Sequence, residues 1–225
     1  MLMTIESFTY DFAGDTFIDV GGNVGMWTTK IAPHYTNVLF IEASDIAMNL
    51  AKKNIEEAGV TDKVTYFKNL CSDSVGDQKT ITASGEDSGN FSIYNKELYG
   101  EENVSMTESD IETITLDSLI PLIKPGSKVL IKIDTEGCEL DILLGAKKLI
   151  AEFKPVIMME AHYHMYYDEE KEGAIIDMLN ECNYSCLELK MPNYLHNADR
   201  IYDGVHNGTE MYDLHYHMLF ESQEK

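Results

Sequence analysis

FIDVGGNVG, Phe17 to Gly25, decides how the rest of the chain is read. A short apolar run ends at Asp19 and is followed by three glycines and an asparagine. Thr16 to Val20 reads as a buried strand and Met26 to Ala32 as the helix after the turn. Glycine tolerates φ > 0 and lets a ligand approach the backbone with no Cβ in the way. In sheets built of strand–helix units, such a turn lies at the carboxyl ends of the strands, where ligands bind. The next apolar run, NVLFIE, Asn37 to Glu42, ends in an acid twenty-one residues after Gly21.

A carboxylate at Glu42 can accept hydrogen bonds from both hydroxyls of a ribose, so the glycine loop and the acid together describe a nucleoside pocket. The loop does not match the G-x-G-x-x-G pattern of a dinucleotide site. Asp19, two residues before the first glycine, suits a cation such as an amino group or a sulfonium better than a phosphate. S-adenosylmethionine carries both and has no phosphate. Asp19, Gly21, Gly22, Asn23, Gly25 and Glu42 are therefore the expected cofactor contacts. On the plainer alternative, the glycines only make a tight turn and Glu42 is a surface acid.

The chain has 225 residues, 44% of them hydrophobic, which suits one domain with a sizeable core. Its formal charge of −22 repels phosphate backbones and anionic lipid heads. A neutral polyol, a small metabolite or a cation fits better than nucleic acid or membrane; on the plainer alternative the excess acid only keeps the protein soluble. Cys71, Cys138, Cys182 and Cys186 form no CxxC pair. With no cleavable leader and no long apolar run, they read as buried small residues of a cytoplasmic protein.

Outward from the loop, the pattern alternates. A helix is expected from Ser44 or Asp45 to Ala58, with Ile46, Leu50 and Ala58 on its inner side and Gly59 closing it. A strand follows from Val64 to Lys68. The polar stretch from Ser72 to Thr115 holds short alternating pieces that suggest a hairpin excursion. Lys128 to Asp134 resumes the buried-strand pattern, Gly137 to Ala151 reads as one helix, and VIMME ends a strand at Glu160. A helix from about Glu170 to Cys182, the strand SCLEL and a last strand near Tyr216 to Glu221 complete the pattern. The long final connection predicts an antiparallel closing pair in an otherwise parallel α/β sheet with helices on both faces.

LIKIDTEGCELDILLGA, Leu130 to Ala146, taken with FIDVGGNVG, resembles the FkbM family of S-adenosylmethionine-dependent methyltransferases. IEAS, NLCSD (Asn69 to Asp73), TLDSL (Thr115 to Leu119) and KPVIMME (Lys154 to Glu160) match in order, so the resemblance covers about Phe17 to Glu160. It implies a Rossmann-like class I methyltransferase fold with a mostly parallel seven-stranded sheet and an antiparallel last strand. It also implies O-methylation of a hydroxyl, often on a sugar or a polyketide-like natural product, with Asn69, Leu70, Cys71 and Asp73 near the adenine. Gly22 stands where the family more often has alanine, and IEAS lacks the proline that often follows the strand-two acid. Residues 1–225 read as a single methyltransferase domain. Fifteen residues precede the first strand, where methyltransferases usually carry a covering helical segment. The expectation is an excised domain, or one that adjoins other domains of a larger glycan-modifying protein.

The catalytic candidates are Asp134, at the end of strand four, and Glu160 and His162, after strand five. An alcohol needs to lose its proton to become a good nucleophile, and histidine titrates in the right range. Asp134 and His162 are the base candidates, with Glu160 beside the imidazole; Glu139 reads as a helix-start acid. Asp134, Glu160 and His162 match no recognised metal signature, so a divalent metal is not favoured. His215 and His217 read as sheet-edge residues. Tyr194, His196, Arg200, Tyr202, His206 and Tyr212, in the loop 190–213, suit sugar recognition. The rival readings are a non-catalytic cofactor-binding or scaffolding module and, more remotely, a nucleotide-cofactor oxidoreductase.

Overall fold

A computed structural model describes residues 14–84, 91–92, 106–135, 137–162, 169–188 and 215–223; at 82–84, 91–92, 106–109, 160–162, 169–172, 185–188 and 215–221 it describes the backbone alone. The aromatic loop expected at 190–213 and part of the polar excursion at 72–115 (85–90 and 93–105) lie outside these residues.

The strands of the main sheet are β1 (Thr16–Val20), β2 (Asn37–Ile41), β3 (Val64–Phe67), β8 (Val129–Ile133), β9 (Val156–His162), β10 (Tyr184–Glu188) and β11 (His215–Ser222). Between β3 and β8 run β4 (Leu70–Cys71), β5 (Gln78–Ser84), β6 (Phe91–Ser92) and β7 (Met106–Ile114). The main sheet has the order β10-β11-β9-β8-β1-β2-β3, with every pair parallel except the two made by β11. This is the seven-stranded arrangement the resemblance implies. β11 is an interior strand, however, so His215 and His217 are not on an edge strand. The polar excursion is a second sheet of order β4-β7-β5-β6, in which β5 and β7 form a long antiparallel pair.

β1 and β8 are buried at all five positions. A central parallel strand covered on both faces reads as a continuous apolar run, which is why TFIDV and VLIKI show no clean alternation. One face carries α1 (Met26–Ile31), the 3₁₀ turn Ala32–His34 and α2 (Asp45–Glu57), packed on Phe17, Val38, Phe40 and Leu130. The other carries the 3₁₀ segment Leu116–Leu122, α3 (Glu139–Leu144), α4 (Lys147–Phe153) and α5 (Glu169–Glu181), packed on Ile18, Leu39, Ile131 and Ile157. Helices on both faces of a parallel sheet give the expected α/β architecture. No described helix is long and apolar enough to cross a membrane.

Two helices differ from the sequence expectation. α2 begins as expected, with the Ser44 hydroxyl accepting from the Ala47 N–H at 3.2 Å. Its inner side, though, is Ala47, Met48, Ala51 and Ile55, and Ile46 and Leu50 are exposed. Gly25 backs onto this side of the helix; a Cβ there would lie 3.3 Å from both Ala51 and Ile55. The single helix expected over 137–151 is two, broken at Gly145 and Ala146. The Gly145 carbonyl accepts from the Asp117 N–H, and the Asp117 carboxylate accepts from the Leu149 N–H at 2.9 Å, starting α4 anew. Gly145 also lies against the Ser72 carbonyl, leaving no room for a side chain. Of the cysteines, Cys71 and Cys138 are buried as expected, whereas Cys182 is half-buried.

Candidate active site

Strand register brings the expected residues to one level. Val20 pairs with Ile41 on one side and Ile133 on the other, and Ile133 pairs with Met159. The next residue of each strand is therefore Glu42, Gly21, Asp134 or Glu160, a row across the carboxyl edge of β2, β1, β8 and β9. The N–H groups of Gly21 and Gly22 both donate to the Ile41 carbonyl, at 3.0 and 3.1 Å, which turns the chain sharply out of β1.

Gly21 has φ +70°, and a Cβ there would meet the Asp134 carbonyl oxygen at 2.0 Å. Both left-handed backbone and close strand contact demand glycine at this position. Gly22 is confined differently: a Cβ would lie 2.2 Å from the ring of Phe40, which is itself fully buried. The space where the family more often has an alanine methyl is filled here by Phe40. Gly22→Ala is expected to destabilise the chain by about 1–3 kcal/mol, the usual cost of overpacking a core. Urea unfolding should show the loss, and adding Phe40→Leu should recover part of it.

Glu42 is almost fully buried, and each carboxylate oxygen is held by a backbone donor. Oε2 accepts from the Asn23 N–H at 2.8 Å and Oε1 from the Ser44 N–H at 2.7 Å. Asn23 reaches this contact with φ +48°, a conformation that asparagine adopts more readily than most residues. The acid thus ties the glycine loop to the start of α2. Burial pushes its carboxyl above the ordinary range, and the N–H groups of Ser44 and Asn23 pull it part of the way back. Each oxygen has two acceptor directions, so one donor on each is compatible with a further hydrogen bond to a diol. A surface acid would not be held this way.

Asp19 does not stand open to a ligand; the cation beside it is Lys132, its register partner on β8. Asp19 Oδ2 accepts from the Thr28 hydroxyl at 2.7 Å, and Oδ1 lies 3.6 Å from Lys132 Nζ with no hydrogen-bond partner. Lys132 Nζ is 2.8 Å from Asp134 Oδ2 and 5.4 Å from the centre of the Trp27 ring. Lys132 and Asp19 are fully buried, while the Asp134 side chain is 28% exposed and forms the outer end of the chain of charges. Burial raises the Asp19 carboxyl, with Lys132 and then Thr28 opposing and Asp134 adding to the rise. Asp19 therefore acts on the site edge through Lys132.

Lys132, Thr28 and Trp27 are the residues the sequence reading missed. A lysine inside VLIKI was a legible signal, since a buried ammonium needs a carboxylate beside it.

The stretch Asn69 to Asp73 leaves the carboxyl end of β3 and crosses into the second sheet. The Asn69 side chain donates to the Glu112 carbonyl at 3.1 Å, and Leu70 and Cys71 pair with Thr113 and Ile114. Asp73 is exposed, and its Oδ1 lies 3.3 Å from the Ser72 hydroxyl. Glu139, in the first turn of α3, accepts from the Thr135 hydroxyl at 3.1 Å and the Gly137 N–H at 3.3 Å, the role read for it from sequence. Glu160 and His162 end β9 in backbone position. Among the residues with described side chains, no group of three or more His, Cys, Asp or Glu is placed to hold a metal.

The comparisons fit this geometry. The model of the methyltransferase FkbM domain matches residues 19–186. No curated protein matches the chain. Among solved structures, methyltransferase FkbM from Methylobacillus flagellatus KT aligns with a TM-score of 0.53 at 17% identity, over 93% of this chain and 44% of its own. This chain thus spans less than half the length of that relative. The O-methyltransferase from Bacillus cereus in complex with SAH aligns with a TM-score of 0.52 at 14% identity, over 96% of this chain and 77% of its own. SMU.1697c from Streptococcus mutans, also in complex with SAH, aligns with a TM-score of 0.53 at 8% identity, over 98% and 96%. At such identities the structural matches speak for the class I methyltransferase fold alone. The family model, covering most of the chain from the acid of the glycine loop to β10, places this protein in the FkbM methyltransferase family.

Proposed function

We propose that this chain transfers a methyl group from S-adenosylmethionine to a hydroxyl, most suitably that of a sugar in a glycan or glycosylated product. The observation that carries the cofactor part is Glu42, a buried carboxylate fixed by two backbone N–H groups beside the glycine loop. Its oxygens accept from the ribose diol beside the Gly21–Gly25 turn that it ties down. The bound cofactor supplies an electrophilic methyl on a sulfonium.

The chain's own task is then alignment, which can contribute roughly 7–11 kcal/mol in favourable intramolecular cases. Asp134 is anchored at both ends: its N–H donates to the Val20 carbonyl at 3.1 Å, and Oδ2 holds the Lys132 ammonium. A carboxylate engaged with an ammonium is better suited to orient an acceptor hydroxyl than to remove its proton. His162, one strand over on β9, takes the base role in this reading, with Glu160 two residues before it. The domain acts on a small molecule or glycan, not on nucleic acid or membrane, as one cytoplasmic unit alone or within a larger protein; the −22 charge supports that choice.

The test is calorimetric titration with S-adenosylmethionine and S-adenosylhomocysteine. Wild type is expected to bind both, and Glu42→Ala to bind at least tenfold more weakly. Loss of hydrogen bonds to a charged group costs about 1.5–3 kcal/mol. Equal affinity in the folded variant would remove Glu42 from the site. Binding without turnover of any hydroxylated sugar acceptor would favour a binding module over an enzyme.

A further inference from the structure

We infer that the Asp19–Lys132–Asp134 cluster lets this site tell the charged methyl donor from its neutral product. Asp134 faces the sulfonium, and Asp19 is a positioning residue that acts behind it. The inference deepens the methyl-transfer reading and rests on it.

The cluster sets one ammonium between two carboxylates. Lys132 Nζ lies 2.8 Å from Asp134 Oδ2 and 3.6 Å from Asp19 Oδ1. Asp19 is fully buried, and the Thr28 hydroxyl and the Lys132 ammonium both face it, the surroundings of an ionised carboxylate. After burial, which raises the Asp19 carboxyl, Lys132 has the largest influence and lowers it, while Asp134 raises it; the three charges act on one another. Lys132 is buried as well, with the Trp27 ring centre 5.4 Å from its Nζ. Water screens charges poorly in such a place. Paired with Asp134 alone, Lys132 would cancel it. Shared with Asp19, it cancels neither in full. The three groups together are negative, with Asp134 at the exposed end.

Asp134 also stands where the sulfonium has to come. Its N–H donates to the Val20 carbonyl, and its carbonyl oxygen lies against Gly21, the first residue of the glycine loop. Glu42 and Asp134 follow β2 and β8, the two neighbours of β1, so two strand spacings, about 10 Å, lie between them. The sulfonium is bonded to the 5′ carbon of the ribose. A donor held at Glu42 by its diol therefore sets its charge down over β1, toward Asp134. In the transfer the S–CH3 bond breaks, its electron pair stays on sulfur, the O–CH3 bond forms and the hydroxyl proton passes to the base. The positive charge leaves the sulfur in that step, and the attraction of Asp134 goes with it. The product is then the more weakly held form.

The experiment titrates the whole chain with S-adenosylmethionine and S-adenosylhomocysteine by calorimetry and reads the ratio of the two dissociation constants. Both ligands carry the same adenine, ribose and amino acid, so the ratio cancels those contacts and isolates the methylsulfonium. Wild type is expected to hold the donor more tightly. Asp134→Asn should reduce that preference at least about tenfold, because a unit charge a few ångströms away is worth that much where screening is poor. Asp19→Asn should reduce it about threefold or more, as the Lys132 charge then falls wholly on Asp134. Asp19 is fully buried, so this second loss tests charge rather than contact. Asp62→Asn, in the 3₁₀ turn Thr61–Lys63, removes the same formal charge from an exposed position and should leave the ratio unchanged. Circular dichroism confirms that each variant is folded. Should either site variant not fold, wild type is titrated with sinefungin, in which a protonated amine replaces the methylsulfonium. It should bind more tightly than S-adenosylhomocysteine, and weaker binding would overturn the inference. So would a wild type that holds product as tightly as donor, or a ratio unmoved in a folded Asp134→Asn or Asp19→Asn. Failure of wild type to bind either ligand would remove the methyl-transfer reading itself, and this inference with it.

Discussion

Lys132→Met is expected to destabilise the folded chain by about 3–5 kcal/mol, the usual cost of removing one partner from a buried charge pair. Lys132 sits between Asp19 at 3.6 Å and Asp134 at 2.8 Å, and the methionine would take this ammonium away from both carboxylates. The loss should depend on pH in a definite direction. Burial raises the Asp19 carboxyl above its ordinary value of 3.8, and Lys132 limits the rise. A group whose folded pKa is raised binds its proton more tightly in the folded state. Its contribution is therefore most favourable at low pH and declines as pH rises from the unfolded value through the folded one. Without Lys132 the folded value moves further up, and the decline continues to higher pH. Urea midpoints measured from about pH 4 to pH 8 should show the variant losing ground to wild type as pH increases. Asp19→Asn in the methionine background should recover much of the loss. A deficit that ignores both pH and Asp19→Asn would mean that packing, not charge, is what Lys132 supplies.

Gly21→Ala is expected to cost about 3 kcal/mol or more, as two penalties coincide. A non-glycine residue in left-handed backbone loses roughly 1–2 kcal/mol. Forcing a methyl into filled space adds about 1–3 kcal/mol. Here the methyl would meet a backbone carbonyl, that of Asp134, which is pinned in the sheet. Gly59 separates the two penalties: its φ is +71°, but nothing lies within 4 Å of where its Cβ would be. Gly59→Ala should show the conformational cost alone, about 1–2 kcal/mol. Comparable losses in the two variants would mean that β1 and β8 can part at their carboxyl ends more easily than the register suggests.

Much of this molecule could be read from its residues, and the misreadings have physical causes. Buried parallel strands announce themselves as unbroken apolar runs, so β1, β2 and β8 were found within a residue at each end. The pairing of Glu42 with the glycine loop was legible because acid and glycines end consecutive strands. The inner face of α2 was not, since size suggested Ile46 and Leu50 while the side packed on Gly25 carries Ala51 and Ile55. The break at Gly145 depends on Asp117 and Ser72, both distant in sequence, and no local pattern encodes it. Asp19 was read as a partner for an external cation because its true partner, Lys132, lies more than a hundred residues on. His215 and His217 were assigned to an edge because strand order is a property of the whole sheet. Only the observed strand order places β11 inside the sheet.

The insertion of β11 between β9 and β10 also bears on how the chain reaches its native state. β10 is made before β11 and, among the described strands, pairs with β11 alone, so it has no place in the sheet until β11 arrives. During synthesis, which delivers about 5–20 residues each second, β9 would stand as an open edge while the remainder emerges. Unpaired edges invite strands from other chains. The interval between completion of β9 and docking of β11 is thus the period in which a growing chain is most exposed to mispairing, and where a chaperone would have most to shield.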